Sequence, residues 1–378
     1  MMENSEIIKT TETSKPTETT VENQPAPKKE KLSLSVVSQY RNELFGLSII
    51  GIIIFHFCES VLSQKTGDGF YVFAMIYNCI FSSSGVEIFL FLSGMGLFYS
   101  MKKNSNVLQF YSKRFRRVLI PYLMFGLIYW IINDFVLLQR DFGQFISDFF
   151  LITVWTEGVR RFWFISFILI LYIVFPLFFH MLDTTRKNRG VIFVLLMAIC
   201  VTACALLASL APDVYGNIEL AICRLPAFLF GVYYGGKIYN GEKFGILEWI
   251  LIPLGLVIRV LTFAVRYQWL PRLFEWNIRY ETCLFAVSLL FVLAILLAKL
   301  HCAPLNKALS TVGTYSFELY ITHVAIRSMM HVMGYPVYIL SNYLICIAIA
   351  VVLSLLLHKL TDLILGGGKK KSAKQMAA

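Results

Sequence analysis

From about residue 38 onward, long apolar runs alternate with short polar connections. A run such as "ELFGLSIIGIIIFHF" at 43–57 is apolar all round rather than along one stripe, which a helix lying on a water-soluble core is not. About 20 residues of this kind cross the roughly 30 Å hydrocarbon layer of a bilayer as a helix. About ten spans are predicted on that length criterion, near 44–63, 80–100, 118–138, 162–182, 191–211, 219–239, 246–265, 281–300, 311–332 and 338–360. The fold class is therefore expected to be all-α, a polytopic integral membrane helix bundle. Between Gln139 and Arg161, "FGQFISDFFLITVW" is too short and too mixed to span, and reads as an interfacial or re-entrant piece.

Composition supports this pattern, since 57% of the 378 residues are hydrophobic and only 15% are charged, which excludes an ordinary water-soluble domain. Residues 1–37, rich in Thr, Glu, Lys and Pro, read as a disordered cytoplasmic N-terminal tail without the apolar core of a signal peptide. Residues 38–365 form the expected transmembrane domain, and 366–378, "GGGKKKSAKQMAA", a basic cytoplasmic C-terminal tail.

The net charge of +11 does not point to nucleic acid, because the basic residues sit in short clusters between apolar runs, as cytoplasmic loops do. An even number of spans with "MKKNSN", "SKRFRR", "TTRKNR" and "GGKIYNGEK" inside places both termini in the cytoplasm of a cell-membrane protein. Arg140, Arg160, Arg161, Arg266, Arg272 and Arg279 oppose that rule on the outer side, and so raise a functional question. The eight cysteines show neither a disulfide framework nor a zinc spacing, and no metal site is expected. No repeat of 20–50 residues and no inverted pair of interrupted segments is visible.

An ionisable group in hydrocarbon is costly and normally faces the bundle interior. His56 and Glu59 in the first span, Glu87 in the second, Arg224 in the sixth, Arg259 in the seventh, and Glu318 and His323 in the ninth are such groups. His56, Glu59 and Ser60 share one helix face by their spacing. Each group has a plain alternative, a hydrogen bond between helices of modest worth. Two imidazoles in separate spans, His56 and His323, are what a proton-transfer site requires. His180, His301, His331 and His358 fall near span ends and read as interfacial.

The order of motifs resembles the membrane-bound acyltransferase 3 family, bacterial O-acyltransferases of cell-surface sugars, over roughly residues 38–360. "ELFGLSIIGIIIFH" is similar to the family's first helix and "GVEIFLFLSGMGLFYS" to its second. "SKRFRRVLIPYL" matches an Arg-x-x-Arg loop through Arg114 and Arg117, "RFWFISFILILYIVFPLF" a helix bearing Trp163, "CRLPAFLFGVYYG" a helix with Arg224, and "TYSFELYITHVAI" a late helix with His323. One position departs: the family usually carries an arginine eleven residues before the histidine, and here Phe45 stands there, with Arg41 one turn earlier.

The resemblance implies acyl transfer from acetyl-CoA, as a donor substrate rather than a permanently bound cofactor, to a hydroxyl of a cell-envelope polysaccharide. On that reading His56 is the general base and Glu87 orients it, with Glu59 as competitor for that role. Arg41, Arg114 and Arg117 offer contacts for the donor's phosphates, and Trp163, Arg224 and His323 contribute to substrate binding. On the outer side Trp155, Trp163, Trp269 and Trp276, with Arg160 and Arg161, offer ring faces and hydrogen-bond donors to a glycan, or the tryptophans form an aromatic belt. A transporter or flippase-like protein using His56, Glu87 and Arg224 is the alternative, and an inactive relative a third reading.

Overall fold

The computed structural model describes residues 32–64, 69–266 and 277–375. After a short α1 (Val36–Gln39), helix α2 (Arg41–Gln64) follows, then α3 (Gly69–Ile80) and α4 (Ser84–Lys103). Helix α5 (Val107–Trp130) runs on into a π-helical turn, Ile131–Leu137. The short helices α6 (Phe142–Phe149) and α7 (Thr153–Thr156) lead to α8 (Trp163–Leu182), α9 (Arg189–Leu210), α10 (Pro212–Ile222) and α11 (Leu225–Tyr239). The chain ends with α12 (Ile246–Arg266), α13 (Asn277–Leu300), α14 (Ala303–Thr314), α15 (Ser316–Val332) and α16 (Leu340–Gln375).

Among the described residues, nine helices are long and apolar enough to cross a membrane. The protein is an all-α polytopic membrane bundle. The predicted span at 311–332 is the one that differs: the chain breaks at Tyr315 between α14 and α15, and α15 has only 17 residues, or about 26 Å of rise. Segment 139–161 holds only α6 and α7, with no spanning helix. Folded structure also begins before residue 38. Leu34 and Val37 are fully buried, and Ser33 pairs with Lys243 in an isolated bridge. The apolar residues Leu34, Val36 and Val37 give this segment something to bury, which the Thr- and Glu-rich stretch before it lacks. At the other end, the backbone of α16 stays helical to Gln375.

Helix α2 lies at the centre, packed on α3, α4 and α14, while α4 also packs on α11 and α13. Two contacts are close enough to require glycine. A Cβ on Gly313 would strike the carbonyl oxygen of Asn42, and one on Gly231 the carbonyl oxygen of Phe91. Bilayer lipid gives no hydrophobic drive between helices, so backbones brought together at small residues carry much of the association.

Two of the spans are interrupted. Between α3 and α4 the chain turns through Phe81, Ser82 and Ser83, with Ser82 at a φ of 47°. Between α10 and α11 it turns at Cys223–Arg224, where Pro226 follows and can neither donate to the helix nor accommodate the preceding turn. Free carbonyls at such a break need partners when water is excluded. Arg259 provides them for α3, donating to Asn78 O at 2.7 Å and Ile80 O at 3.1 Å, while it also pairs with Glu281 at 3.1 Å.

Candidate active site

The two interruptions meet. Arg224, at the start of α11, donates to Ser83 Oγ at 3.0 Å and to Leu220 O at 2.9 Å, and pairs through Nε with Glu87 Oε1 at 2.9 Å. Glu87 lies in the first turn of α4, where the helix dipole favours a negative charge, and also accepts from Ser83 at 3.3 Å. Glu87 and Arg224 are 1% and 3% exposed, so each needs the other to remain charged there.

Beside this pair opens a cavity of about 1470 Å³ lined by the second half of α2, the two interruptions, Trp163, and one face of α15. It exceeds the roughly 300–1,000 Å³ of ordinary small-ligand pockets. The wall formed by α2 carries His56, Glu59 and Ser60, the shared face read from their spacing. Glu59 is bonded to Arg327 at 3.0 Å, and Arg327 also donates to Ser60 Oγ at 3.0 Å. His56 is half-buried, with Nδ1 3.2 Å from Nε2 of the fully buried His323, and the two rings are near-parallel.

Behind His323 stands Tyr343 of α16. Its hydroxyl donates to Ile53 O at 2.6 Å and lies 3.1 Å from His323 Nε2. A backbone carbonyl can only accept, so Tyr343 gives its proton to Ile53 and donates none to His323. His323 Nε2 therefore faces both His56 and Tyr343 and, receiving no hydrogen from Tyr343, is open to accept one from His56 Nδ1.

The geometry redistributes the roles expected of two residues. Glu87 is bonded to Arg224 and Ser83, whereas the imidazole of His56 is backed by His323. Trp163 lines the cavity with the Arg224 guanidinium 5.1 Å above its ring. His331, expected to be merely interfacial, also lines the cavity. Trp155 donates to Ser166 Oγ at 2.7 Å and is occupied in packing α7 on α8. Trp269, Trp276 and Arg272 lie outside the described residues. Tyr343 escaped the sequence reading because it stands in the plain apolar run "NYLICIAIA". The interruptions did leave signals, "SSSG" at 82–85 and "CRLP" at 223–226, which the surrounding apolar runs outweighed.

Arg41, Arg114 and Arg117 gather at the other end of α2, fifteen residues or about 22 Å from His56. They are near enough for their charges to act on one another and on Tyr172. The guanidinium of Arg41 sits 4.9 Å above the ring of Phe45, and Arg114 reaches Gly96 O at 3.4 Å. The Nε atoms of Arg41 and Arg114 are buried without a hydrogen-bond partner. Between this cluster and the cavity runs a stack of rings, Phe45 on Phe89 at 4.7 Å, Phe89 on Phe164 at 5.7 Å, and Phe164 on Tyr320 at 5.4 Å.

A membrane bundle with His56 on a cavity wall and His323 behind it, and an arginine cluster at the other end of α2, has the parts of a membrane-embedded group-transfer enzyme. The family model of the acyltransferase domain matches residues 46–359, so the chain belongs to the acyltransferase 3 family and is a membrane acyltransferase. The match begins at Gly46, just after the departing position Phe45. Searches of curated proteins and of solved structures give no match.

Proposed function

We propose that the protein is an O-acetyltransferase that moves an acetyl group from acetyl-CoA, bound from the cytoplasmic side, to a hydroxyl of a cell-surface or exported polysaccharide. The observation that carries this reading is the His56–His323 contact, which opens one imidazole to the cavity and seals the other behind it. The acceptor hydroxyl attacks the thioester carbonyl and gives its proton to the cavity-side nitrogen of His56. His56 holds its Nδ1–H toward His323 Nε2 across the 3.2 Å contact, which keeps its cavity-side nitrogen free as the base and supports the imidazolium that forms. Collapse of the tetrahedral intermediate breaks the C–S bond, and the departing thiolate takes the proton back from His56. Arg224 is near enough to the cavity surface to attract the developing oxyanion.

Arg41, Arg114 and Arg117 suit the donor's phosphates, since guanidinium forks match phosphate oxygens. Arg41 over Phe45 supplies a cation one turn from where relatives carry theirs. The basic connections on that side and in both tails agree with a cytoplasmic placement. Cysteines introduced at Gly67 and Lys369 should therefore label from opposite sides, and labelling from one side would overturn the orientation.

The decisive experiment uses purified protein in proteoliposomes with [acetyl-labelled] acetyl-CoA and cell-envelope polysaccharide. Label should appear covalently on the polysaccharide. The two helix interruptions meeting at one site also occur in transporters; substrate that merely changes compartment without being acetylated would establish that rival instead.

A further inference from the structure

The charges of the cavity do not balance. Its three carboxylates are each held by one arginine: Glu87 by Arg224 at 2.9 Å, Glu219 by Arg279 at 2.5 Å, and Glu59 by Arg327 at 3.0 Å. Two further arginines, Arg160 and Arg161, line the same cavity from the loop before α8. Among the described residues, no lining carboxylate is left to match them. Arg160 is exposed. Arg161 has a buried Nη1 without a hydrogen-bond partner and lies 5.9 Å above the Trp130 ring. Asp134, whose charge it feels, shares Arg140 with Asp148, at 3.8 and 2.8 Å.

Two adjacent guanidiniums repel each other, and low-dielectric walls strengthen both that repulsion and their pull on an incoming anion. Their planar forks suit oxygens arranged as in a carboxylate or a phosphate. Arg160 is thus the cavity's surplus cation, and Arg161 beside it has a donor, Nη1, that no group satisfies. We propose that the acceptor is an acidic saccharide, bound through a carboxylate or phosphate at Arg160 and Arg161 while one of its hydroxyls faces His56. This rests on the acyltransferase reading above for the purpose of the site, but the prediction concerns binding and can fail separately.

The test measures equilibrium binding to the full chain in nanodiscs of neutral phosphatidylcholine. The probes are fluorescent trigalacturonate and its fully methyl-esterified form, with glucose 6-phosphate and glucose as unlabelled competitors. Trigalacturonate should bind about tenfold more tightly than the ester, the worth of one charge-assisted contact. The preference should fall in Arg160→Gln, whose exposed side chain has little role in folding, and vanish in the Arg160→Gln/Arg161→Gln double variant. Glucose 6-phosphate competing better than glucose extends the site to phosphorylated sugars, and competition by neither leaves carboxylate as the recognised group. Equal binding of acid and ester by the wild-type protein overturns the proposal, as does a preference that survives in both variants. Displacement of trigalacturonate by coenzyme A, with coenzyme A affinity lost in the same variants, would also overturn it by assigning these arginines to the donor. If acetyl transfer fails while the acid preference holds, the acyltransferase reading falls and the anionic site stands. Transfer to a neutral glycan without any acid preference gives the converse result.

Discussion

The two ends of α2 treat charge in opposite ways. At the cavity end, Glu59, Glu87 and Glu219 each meet an arginine across a helix–helix contact, and most of the charge is neutralised within the protein. At the other end, Arg41, Arg114 and Arg117 gather without an ion pair among the described residues, and two of them hold buried nitrogens that bond to nothing. A closed ion pair fixes geometry, because removing either partner strands the other in a poor solvent. An open cluster of cations carries a standing repulsion that only an anion relieves. The ion pairs of the first end hold the cavity walls in place, whereas the cations of the second have no counter-charge among the described residues.

The largest effect should come from His56, the imidazole that faces the cavity from α2. His56→Gln keeps polarity but loses basicity, and should lower transfer by on the order of 10² to 10⁴ with the unfolding midpoint nearly unchanged. Normal turnover in that variant would reduce His56 to another structural contact.

Next comes the closed pair. Glu87→Gln leaves Arg224 without a counter-charge and should destabilise the fold by about 3–5 kcal/mol, read as a lower midpoint in detergent. Replacing both partners by Leu and Met should recover most of that stability, as apolar replacements of buried pairs do. A Glu87→Gln protein as stable as the wild type would erase the contrast between the two ends.

Arg41→Ala tests the open end. Stability should hold, and the acetyl-CoA concentration needed for half-maximal transfer should rise about tenfold, the worth of one charge-assisted hydrogen bond. Phe45→Arg in that background should restore part of the loss, since position 45 is one turn along the same face. If donor dependence is unaffected by either substitution, the cluster serves topology alone.

The smallest effect concerns Lys102 and Asp183, bonded at 2.9 Å. Partial burial pushes the Asp183 carboxyl up, yet the hydrogen bond and charge of Lys102 and the neighbouring Thr184 and Thr185 more than offset it and hold the group below its usual range. A carboxyl lowered in the folded state contributes stability above its unfolded pKa, near 4, and loses it as pH falls through the folded value. Lys102→Ala should therefore cost no more than about 1 kcal/mol at neutral pH and flatten the decline of the midpoint below roughly pH 4.

The spans and the polar face of α2 were legible in the sequence because both are local. An apolar run declares a helix, and a spacing of three or four places side chains together. The pairings across helices were not. Glu87 has two plausible partners by chemistry, a histidine and an arginine, and only the meeting of two broken helices decides for Arg224. Tyr343 gave no sign of its place behind His323, because one tyrosine in an apolar run looks like packing. The break at Tyr315 was hidden for a related reason: hydropathy averages over a window and passes across a single kinked residue. His56 and His323 were visible as candidates, since ionisable groups in hydrocarbon are rare, but their contact depends on how α2 and α15 lie against each other.

The ring stack from Phe45 through Phe89 and Phe164 to Tyr320 bears on the cell's energy economy as much as on the reaction. On the proposed orientation the enzyme draws one substrate from each compartment, and a water-filled passage joining them would conduct protons. Each charge moving across 100 mV dissipates about 2.3 kcal/mol, so even a slow leak repeated in many copies would drain the membrane potential. On that proposal, four aromatic rings meeting edge to face would serve as an electrical septum, parted by the acetyl-bearing arm and leaving no standing wire of water when it withdraws.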